Sequence, residues 1–395
     1  MLNIKKECTG CMACVNGCAV GAIIIVKNEY GFVMPKVDTD ICINCGRCEA
    51  LCPINSEDGE RTKPLSACSM YHKDPEVVRM SSSGGVFYAL AKSVVESGGV
   101  AYGCYYDIEE KKAYLTDTDN VSVEALLTSK YVESYIGEDG FRSIESNVKD
   151  GRKVLFCGTP CQAAGLRSYM GRNYDNLLIV DFACGGVTAQ KYLSDYLEKM
   201  EEEYGSSVVR MSFRDKYYGW GQNCFTVEFE NGELYRKTAM ADPFFFCFLR
   251  SSMQRLSCHG CKFSADHRSD ICISDFWKCD HFDIDRNGRR GLSLVLELTE
   301  KGQRELETIK SKMHVDSLPV EEASYNLKER VCPESKLEEI YRDMALASKY
   351  GVTALRDSLL TDTEIEQYDI RQHIMDDEDE RKLHPEIVGN GQIMK

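Results

Sequence analysis

Two runs of cysteine carry the first recognisable chemistry. Cys8, Cys11, Cys14 and Cys18 follow the spacing C-x2-C-x2-C-x3-C, and Cys42, Cys45, Cys48 and Cys52 repeat it ahead of Pro53. Thiolates are the soft ligands that iron–sulfur clusters take. This spacing wraps three of them around one face of a cluster and sends the fourth to the neighbouring cluster. Cys8, Cys11, Cys14 and Cys52 are therefore expected to hold one 4Fe-4S cluster, and Cys42, Cys45, Cys48 and Cys18 the other. Zinc also takes four cysteines, but eight in this doubled spacing argue against it.

A third group of thiols lies further on. Cys258 and Cys261 form a C-x-x-C pair, and with Cys161 and Cys184 they make four, enough for a third 4Fe-4S cluster. Alone, a C-x-x-C pair also suits zinc or a dithiol redox couple. The elements that must bring these residues together can be read from the chain. Lys153 to Phe156 reads as a strand ending in Cys157-Gly158-Thr159-Pro160-Cys161. A helix follows from about Gln162, with Thr159 as its cap and Pro160 in its first turn. Leu177 to Val180 is the next strand, ending in Asp181-Phe182-Ala183-Cys184-Gly185-Gly186. Strand, helix and strand at this length form a parallel crossover, which sets Cys161 and Cys184 side by side at the carboxyl edge of a sheet. Cys157, at the other end of the same turn, is a reserve ligand. Cys68, Cys104, Cys224, Cys247, Cys272, Cys279 and Cys332 are expected mostly as small buried hydrophobes.

Ser81-Ser82-Ser83-Gly84-Gly85 precedes a helical stripe of Val86, Phe87, Leu90, Ala91, Val94 and Val95. Small residues at a helix start leave N–H groups open to an anion such as a nucleotide phosphate. An ordinary serine cap and a tight turn fit the same residues. No G-x-G-x-x-G fingerprint is present, so a Rossmann site is not expected.

The 395 residues are 43% apolar, enough for two or three domains. A net charge of -15 excludes nucleic acid and anionic membrane as ready partners. No apolar signal core opens the chain and no stretch is long enough to span a bilayer. Twenty cysteines in such a chain point to the reducing cytoplasm, as metal ligands or redox groups. Ser56 to Pro64 reads as a linker. Ala22 to Val26 and Gly31 to Val37 read as strands between the two cysteine runs. The expected organisation is 1–58 for the cluster module, 64–150 and 151–330 for two parts of a mixed region, and 331–395 for a helical and acidic tail. Within that tail Lys336 to Leu360 has helical periodicity, and Asp376 to Arg381 is a charged, solvated run.

Residues 1–58 resemble a bacterial-type dicluster ferredoxin, with Ala19 where the motif has a proline. The rest carries a second likeness. Ser82-Ser83-Gly84-Gly85, Ser129-Lys130-Tyr131-Val132, Gly158-Thr159-Pro160-Cys161-Gln162, Cys184-Gly185, Lys216 with Gly219-Trp220, Cys258-x-x-Cys261 and Asp275-Phe276-Trp277 stand in order. Together they resemble the coenzyme F-420 hydrogenase/dehydrogenase beta-subunit family over about residues 64 to 305. The resemblance implies an α+β and α/β architecture, a ferredoxin-like domain followed by a mixed α/β iron–sulfur flavoprotein domain. It also implies FAD and an oxidoreductase found in anaerobes. Such a protein passes electrons between clusters, ferredoxin or another redox protein, and a small-molecule two-electron acceptor, which in some members is a deazaflavin. A non-catalytic subunit feeding a separate enzyme is the alternative. The flavin contacts implied are Ser83, Gly84, Gly85, Ser129, Lys130, Tyr131, Gly158 and Thr159. Arg214, Lys216 and Arg268 are candidates for an anionic substrate or cofactor, unless they pair with Asp215, Asp266 or Asp270. Cys272, Ser274 and Lys278 depart from the family pattern near the expected flavin pocket.

Overall fold

The computed structural model describes residues 7–56, 63–279 and 290–377. Most of the expected linker Ser56 to Pro64 and the end of the charged run at 378–381 lie outside the described residues.

The duplicated cysteine spacing appears as a duplicated backbone. A residue with positive φ stands on each side of the second cysteine of each run: Gly10 and Met12 around Cys11, Asn44 and Gly46 around Cys45. One short helix follows in each half, Ala13–Asn16 and Arg47–Ala50. Successive peptides turned in this way aim their N–H groups inward, as an anionic cluster requires. Strands β1 (Ile23–Lys27) and β2 (Val33–Val37) form an antiparallel hairpin with Ile23 opposite Val37, where strands over Ala22 to Val26 and Gly31 to Val37 are expected.

The main body is an eight-stranded mixed sheet. Its strands are β3 (Ser66–His72), β4 (Val100–Asp107), β5 (Lys112–Asp117), β6 (Val154–Cys157), β7 (Leu177–Phe182) and, after a separate sheet, β11 (Ile271–Asp275), β12 (Ser293–Glu297) and β13 (Met313–Leu318). The separate sheet is β10-β9-β8, built from β8 (Val208–Asp215), β9 (Cys224–Phe229) and β10 (Leu234–Thr238). The eight strands run β13-β3-β12-β11-β7-β6-β4-β5. Its middle, β4, β6, β7 and β11, is parallel. These strands are buried on both faces and read as continuous apolar runs. Helices Val86–Glu96 and Glu300–Ile309 cover one face through Leu90, Val94, Leu306 and Ile309. Helices Gly140–Lys149 and Pro160–Met170 cover the other through Phe141, Ile144 and Leu166.

The cluster module is fastened to that second face. Met12, Val15, Ile23 and Val33 share a core with Phe141, Phe156 and Leu166. Asn16 accepts from the Phe141 N–H at 2.9 Å and donates to the Gly137 carbonyl at 3.0 Å. The residues after 330 are more than a tail. The expected helix over Lys336 to Leu360 is two helices, Leu337–Tyr350 and Val352–Leu359, split at Gly351 with φ +87°. Ile340, Met344, Val352 and Leu355 enter the aromatic core of Phe213, Phe225 and Phe244–Phe248. A further helix, Asp362–Asp376, opens with a Thr361/Glu364 capping box.

Helix Pro160–Met170 lies against the first cysteine run at Gly165. A Cβ there would stand 2.9 Å from the Cys11 Cβ and 3.0 Å from its sulfur. Gly165→Val is therefore expected to cost about 1–3 kcal/mol, the usual range for overpacking. A urea midpoint equal to that of the wild type would show that helix and cysteine loop are not held this close.

Candidate functional site

The first cysteine run is turned inward and the second outward. Cys11 is buried, Cys8 and Cys14 are partly buried, and Cys45 is exposed. Burial pushes Cys11 well up and Cys14 to about 12; negative charge on Cys8 and Cys52 adds to the effect at Cys14. Cys52 also acts on Cys8. Cys52 of the second run is thus close enough to act on Cys8 and Cys14 of the first.

The crossover predicted between β6 and β7 is present, with Phe156 opposite Ile179 in parallel register. Thr159 and Gln162 form a capping box at the start of helix Pro160–Met170, with Pro160 in the first turn. The Thr159 hydroxyl also lies 3.1 Å from the Cys161 sulfur. Cys161, Cys184, Cys258 and Cys261 all line one small cavity of about 40 Å³. Cys157 lines the larger cavity described below and not this one. Burial is the main force raising all four thiols, to about 11 for Cys258 and about 12 for Cys261. Four thiols crowded away from water are unstable as anions unless a cationic centre gathers them. The donor set therefore fits a cluster. Thr9 and Gly10 from the N-terminal module complete the cavity wall. Negative charge on Cys161 acts on Cys8 and Cys11, so the two cysteine sets are neighbours.

A larger cavity of about 260 Å³ lies on the other side of Cys184. Ser134, Thr159, Gln162, Cys184, Gly186 and Val187 line both cavities. Of the flavin contacts expected, Ser83, Gly85, Ser129, Lys130, Tyr131, Gly158 and Thr159 line the larger one. Gly84 does not. Its N–H is taken by the Ser293 hydroxyl at 2.9 Å, and a Cβ would lie 2.2 Å from the Met70 carbonyl oxygen. Gly84 is a close-approach glycine that lets the loop cross the sheet. At φ +90°, Gly85 caps helix Val86–Glu96 with no side-chain partner for the first N–H groups. Gly85, Val86 and Phe87 all face the cavity. Beside them the Ser81 hydroxyl is buried with no hydrogen-bond partner. This is a polar cradle of the kind a phosphate fills.

Cations surround the cavity in a chain that is otherwise acidic. Lys130 is partly buried; it donates to the carbonyls of Cys104 at 2.9 Å and Leu127 at 2.5 Å, and desolvation lowers its pKa. Arg214 pairs with Asp275 at 2.7 Å and donates to the Ser82 carbonyl at 3.2 Å. Burial opposes the Arg214 charge, but Asp275 holds it firmly protonated. Lys216 donates to the Val78 and Ser83 carbonyls directly behind the cradle. Arg268 pairs with Asp266 at 3.0 Å and does not line the cavity. Of the departures from the family pattern, Ser274 lines the cavity and accepts from Asn326 at 2.9 Å. Cys272 is buried within ligand distance of Asp181 and His267, and Lys278 lies over the Tyr325 ring.

Three residues near the small cavity have no counterpart in the sequence reading. Arg330 lines it and donates to the carbonyls of Gly185 at 2.8 Å and Cys184 at 3.1 Å. Glu133 and Arg255 form a buried ion pair at 2.5 Å. Arg255 stands three residues ahead of Cys258, and Glu133 directly follows the Ser129–Val132 segment.

This arrangement defines an iron–sulfur protein of electron transfer, with a dicluster module built into a larger sheet domain. Residues 7–56 match the 4Fe-4S dicluster domain family, so two 4Fe-4S clusters belong to this chain. Residues 151–323 match the family described as the C-terminal region of the coenzyme F-420 hydrogenase/dehydrogenase beta subunit. Both resemblances drawn from the motifs are thereby borne out. A protein named ferredoxin 7Fe, from Hydrogenibacillus schlegelii, is 36% identical over 55 residues, 13% of this chain. The match spans 64% of that relative's length. A xenon-derivatised F-420-reducing NiFe hydrogenase complex from Methanosarcina barkeri contains a chain aligned at 17% identity, with a TM-score of 0.47, over 77% of this chain and 94% of that one. Among the described residues no helix is long and apolar enough to cross a membrane.

Lys216 yields a pH prediction. Burial, and then the neighbouring Arg214, lower its pKa from 10.5 to about 7, against the pull of Asp275. Below about pH 7 the folded and unfolded chains both hold the proton, and the cost of the buried charge is constant. Between about 7 and 10.5 the unfolded chain holds more protons, so the contribution of Lys216 to stability rises with pH across that window. The stability of wild type relative to Lys216→Met should increase between pH 7 and pH 9 in urea unfolding. A pH-independent difference would place the ammonium in water.

Proposed function

We propose that this protein is an FAD-containing iron–sulfur oxidoreductase that exchanges electrons between 4Fe-4S clusters and a small two-electron acceptor. The observation that carries the reading is the wall shared by the two cavities, with Cys184 in it. Bound there, a flavin supplies the exchange between one-electron and two-electron carriers.

The chain's own residues divide the work. Cys8, Cys11, Cys14 and Cys52 hold the inner cluster of the N-terminal module; Cys18, Cys42, Cys45 and Cys48 hold the outer one. Cys161, Cys184, Cys258 and Cys261 hold a third. The open N–H groups after Gly85 and the hydroxyl of Ser81 receive phosphate, Ser83 is held to the Leu292 carbonyl, and Arg214 and Lys216 offset the charge through the loop they brace. Lys130, Tyr131, Gly158 and Thr159 form the floor of the larger cavity. Phe87, Leu126 and Leu127 also line it and exclude water. Exposed Cys45, with Ile43 65% exposed beside it, suits the outer cluster to meet a ferredoxin or another redox protein.

Two measurements test this reading. Anaerobically purified Cys258→Ser should lose about four iron atoms per chain, the content of one 4Fe-4S cluster, because a hydroxyl is a hard and poorly ionised ligand. The electron paramagnetic resonance signals of the N-terminal clusters should remain. Unchanged iron would remove the third cluster. For the flavin, Lys130→Met keeps the bulk and deletes the charge. FAD released on denaturation should fall at least several-fold while iron stays. Full FAD occupancy would move the cofactor elsewhere, and wild-type protein that releases no flavin would favour a subunit that only conducts electrons. Gly85 is a poor site for such a test, since its Cβ would meet Val77 at 2.9 Å and strain the turn directly.

A further inference from the structure

We propose that the buried Arg255–Glu133 pair sets the reduction potentials of the two clusters that flank it, the inner cluster of the N-terminal module and the cluster of Cys161, Cys184, Cys258 and Cys261. The second half of the proposal rests on the third-cluster reading above; the first half does not.

The geometry binds Arg255 to both ligand loops at once. Its side chain is 4% exposed and that of Glu133 is 6% exposed. The guanidinium donates to Glu133 at 2.5 Å and to the Val33 carbonyl at 2.9 Å, and it sits over the Phe32 ring at 4.9 Å. It also crosses the loop between Cys8 and Cys11 so closely that a Cβ on Gly10 would stand 2.8 Å from it. On the other side, the Arg255 peptide N–H donates to the Val187 carbonyl at 2.9 Å, and its own carbonyl accepts from the Cys258 N–H at 2.8 Å. The charge of Arg255 stabilises the thiolates of Cys8, Cys161 and Cys258. One residue therefore presents a fixed positive charge to ligands of two cysteine sets. Glu133 lines the smaller cavity and partly cancels that charge.

A buried ion pair is a weak device for stability, because desolvation offsets most of its attraction. Its field is another matter. With little water between, it is screened far less than a surface charge. Reduction adds an electron to a cluster, and local charge is one of the factors that set cluster potential. Arg255 therefore favours the reduced forms and Glu133 the oxidised forms. The cluster of Cys18, Cys42, Cys45 and Cys48 is the internal standard. Its cysteines are partly exposed or exposed, so water screens any charge acting on them more strongly.

The test is a redox titration of the full chain, followed by electron paramagnetic resonance, in wild type, Arg255→Gln and Glu133→Gln. Arg255→Gln should move two of three midpoints downward. The expected size is about tenfold in the oxidised-to-reduced ratio at fixed poise, about 59 mV for one electron. Glu133→Gln should move the same two upward, and the remaining midpoint should stay in place in both variants. A merely structural pair would move midpoints in the same direction in both variants or in all clusters equally, and either result overturns the proposal. If Arg255→Gln fails to retain its clusters, Glu133→Gln decides alone: an upward shift supports the proposal and no shift overturns it. If the wild type holds only about eight iron atoms, two clusters' worth, the third-cluster reading has failed. The proposal then stands or falls on opposite shifts of the single inner cluster.

Discussion

The parallel pairing of β6 with β7 is the constraint on which the rest of the site depends. Phe156 faces Ile179 across the pair, so the two loops that follow leave the same edge of the sheet. One loop turns into helix Pro160–Met170 under the Thr159/Gln162 capping box and presents Cys161. The other presents Cys184. A shift of register would separate these thiols and also misplace Thr159, which lies in both cavity walls. Parallel pairing next to β11 then brings Asp275 at its end to Arg214, and Arg214 to the phosphate-type cradle. The chemistry is concentrated at one sheet edge because the crossover leaves it no other place.

Four cations gather near one sheet edge of an otherwise acidic chain. Lys130, Arg214, Lys216 and Arg255 are all taken out of water, which disfavours each charge by itself. Two of them, Arg214 and Arg255, are held by the carboxylates of Asp275 and Glu133. The two lysines are held by main-chain carbonyls. The array stands beside the four thiols of the small cavity and the open N–H groups after Gly85.

Much of this was legible in the sequence, and the physical reasons differ by element. The cysteine runs are read from spacing alone because cluster geometry is local to a few residues. The crossover was readable because β6 and β7 are apolar on both faces and end in recognisable turns. Pro160 and Thr159 marked the helix start within two residues. Other features depended on packing that no local pattern encodes. Gly84 looked like a phosphate ligand in a serine–glycine run, yet it serves the passage of the loop over Met70. Glu133 and Arg255 lie far apart in the chain, and both hold Val33 of the N-terminal module. The helices after residue 330 showed their periodicity, but the aromatic core that receives them comes from residues 213–248.

Docking of the N-terminal module is what turns separate cysteine sets into one arrangement. A tethered ferredoxin domain could swing and meet its partner only at intervals. Here the module is built in. Asn16 hydrogen-bonds to the Gly137 and Phe141 backbone, Cys11 packs on Gly165, and Val33 is held by both members of the Arg255–Glu133 pair. Thr9 and Gly10 belong at once to the first cysteine run and to the wall around Cys161. Exposed Cys45 marks the outer end and Cys184 the inner end, beside the larger cavity. Fixed distances suit electron transfer between weakly coupled centres, because no diffusive step intervenes. With the module packed into the body, the separation of the cysteine sets is set by the fold.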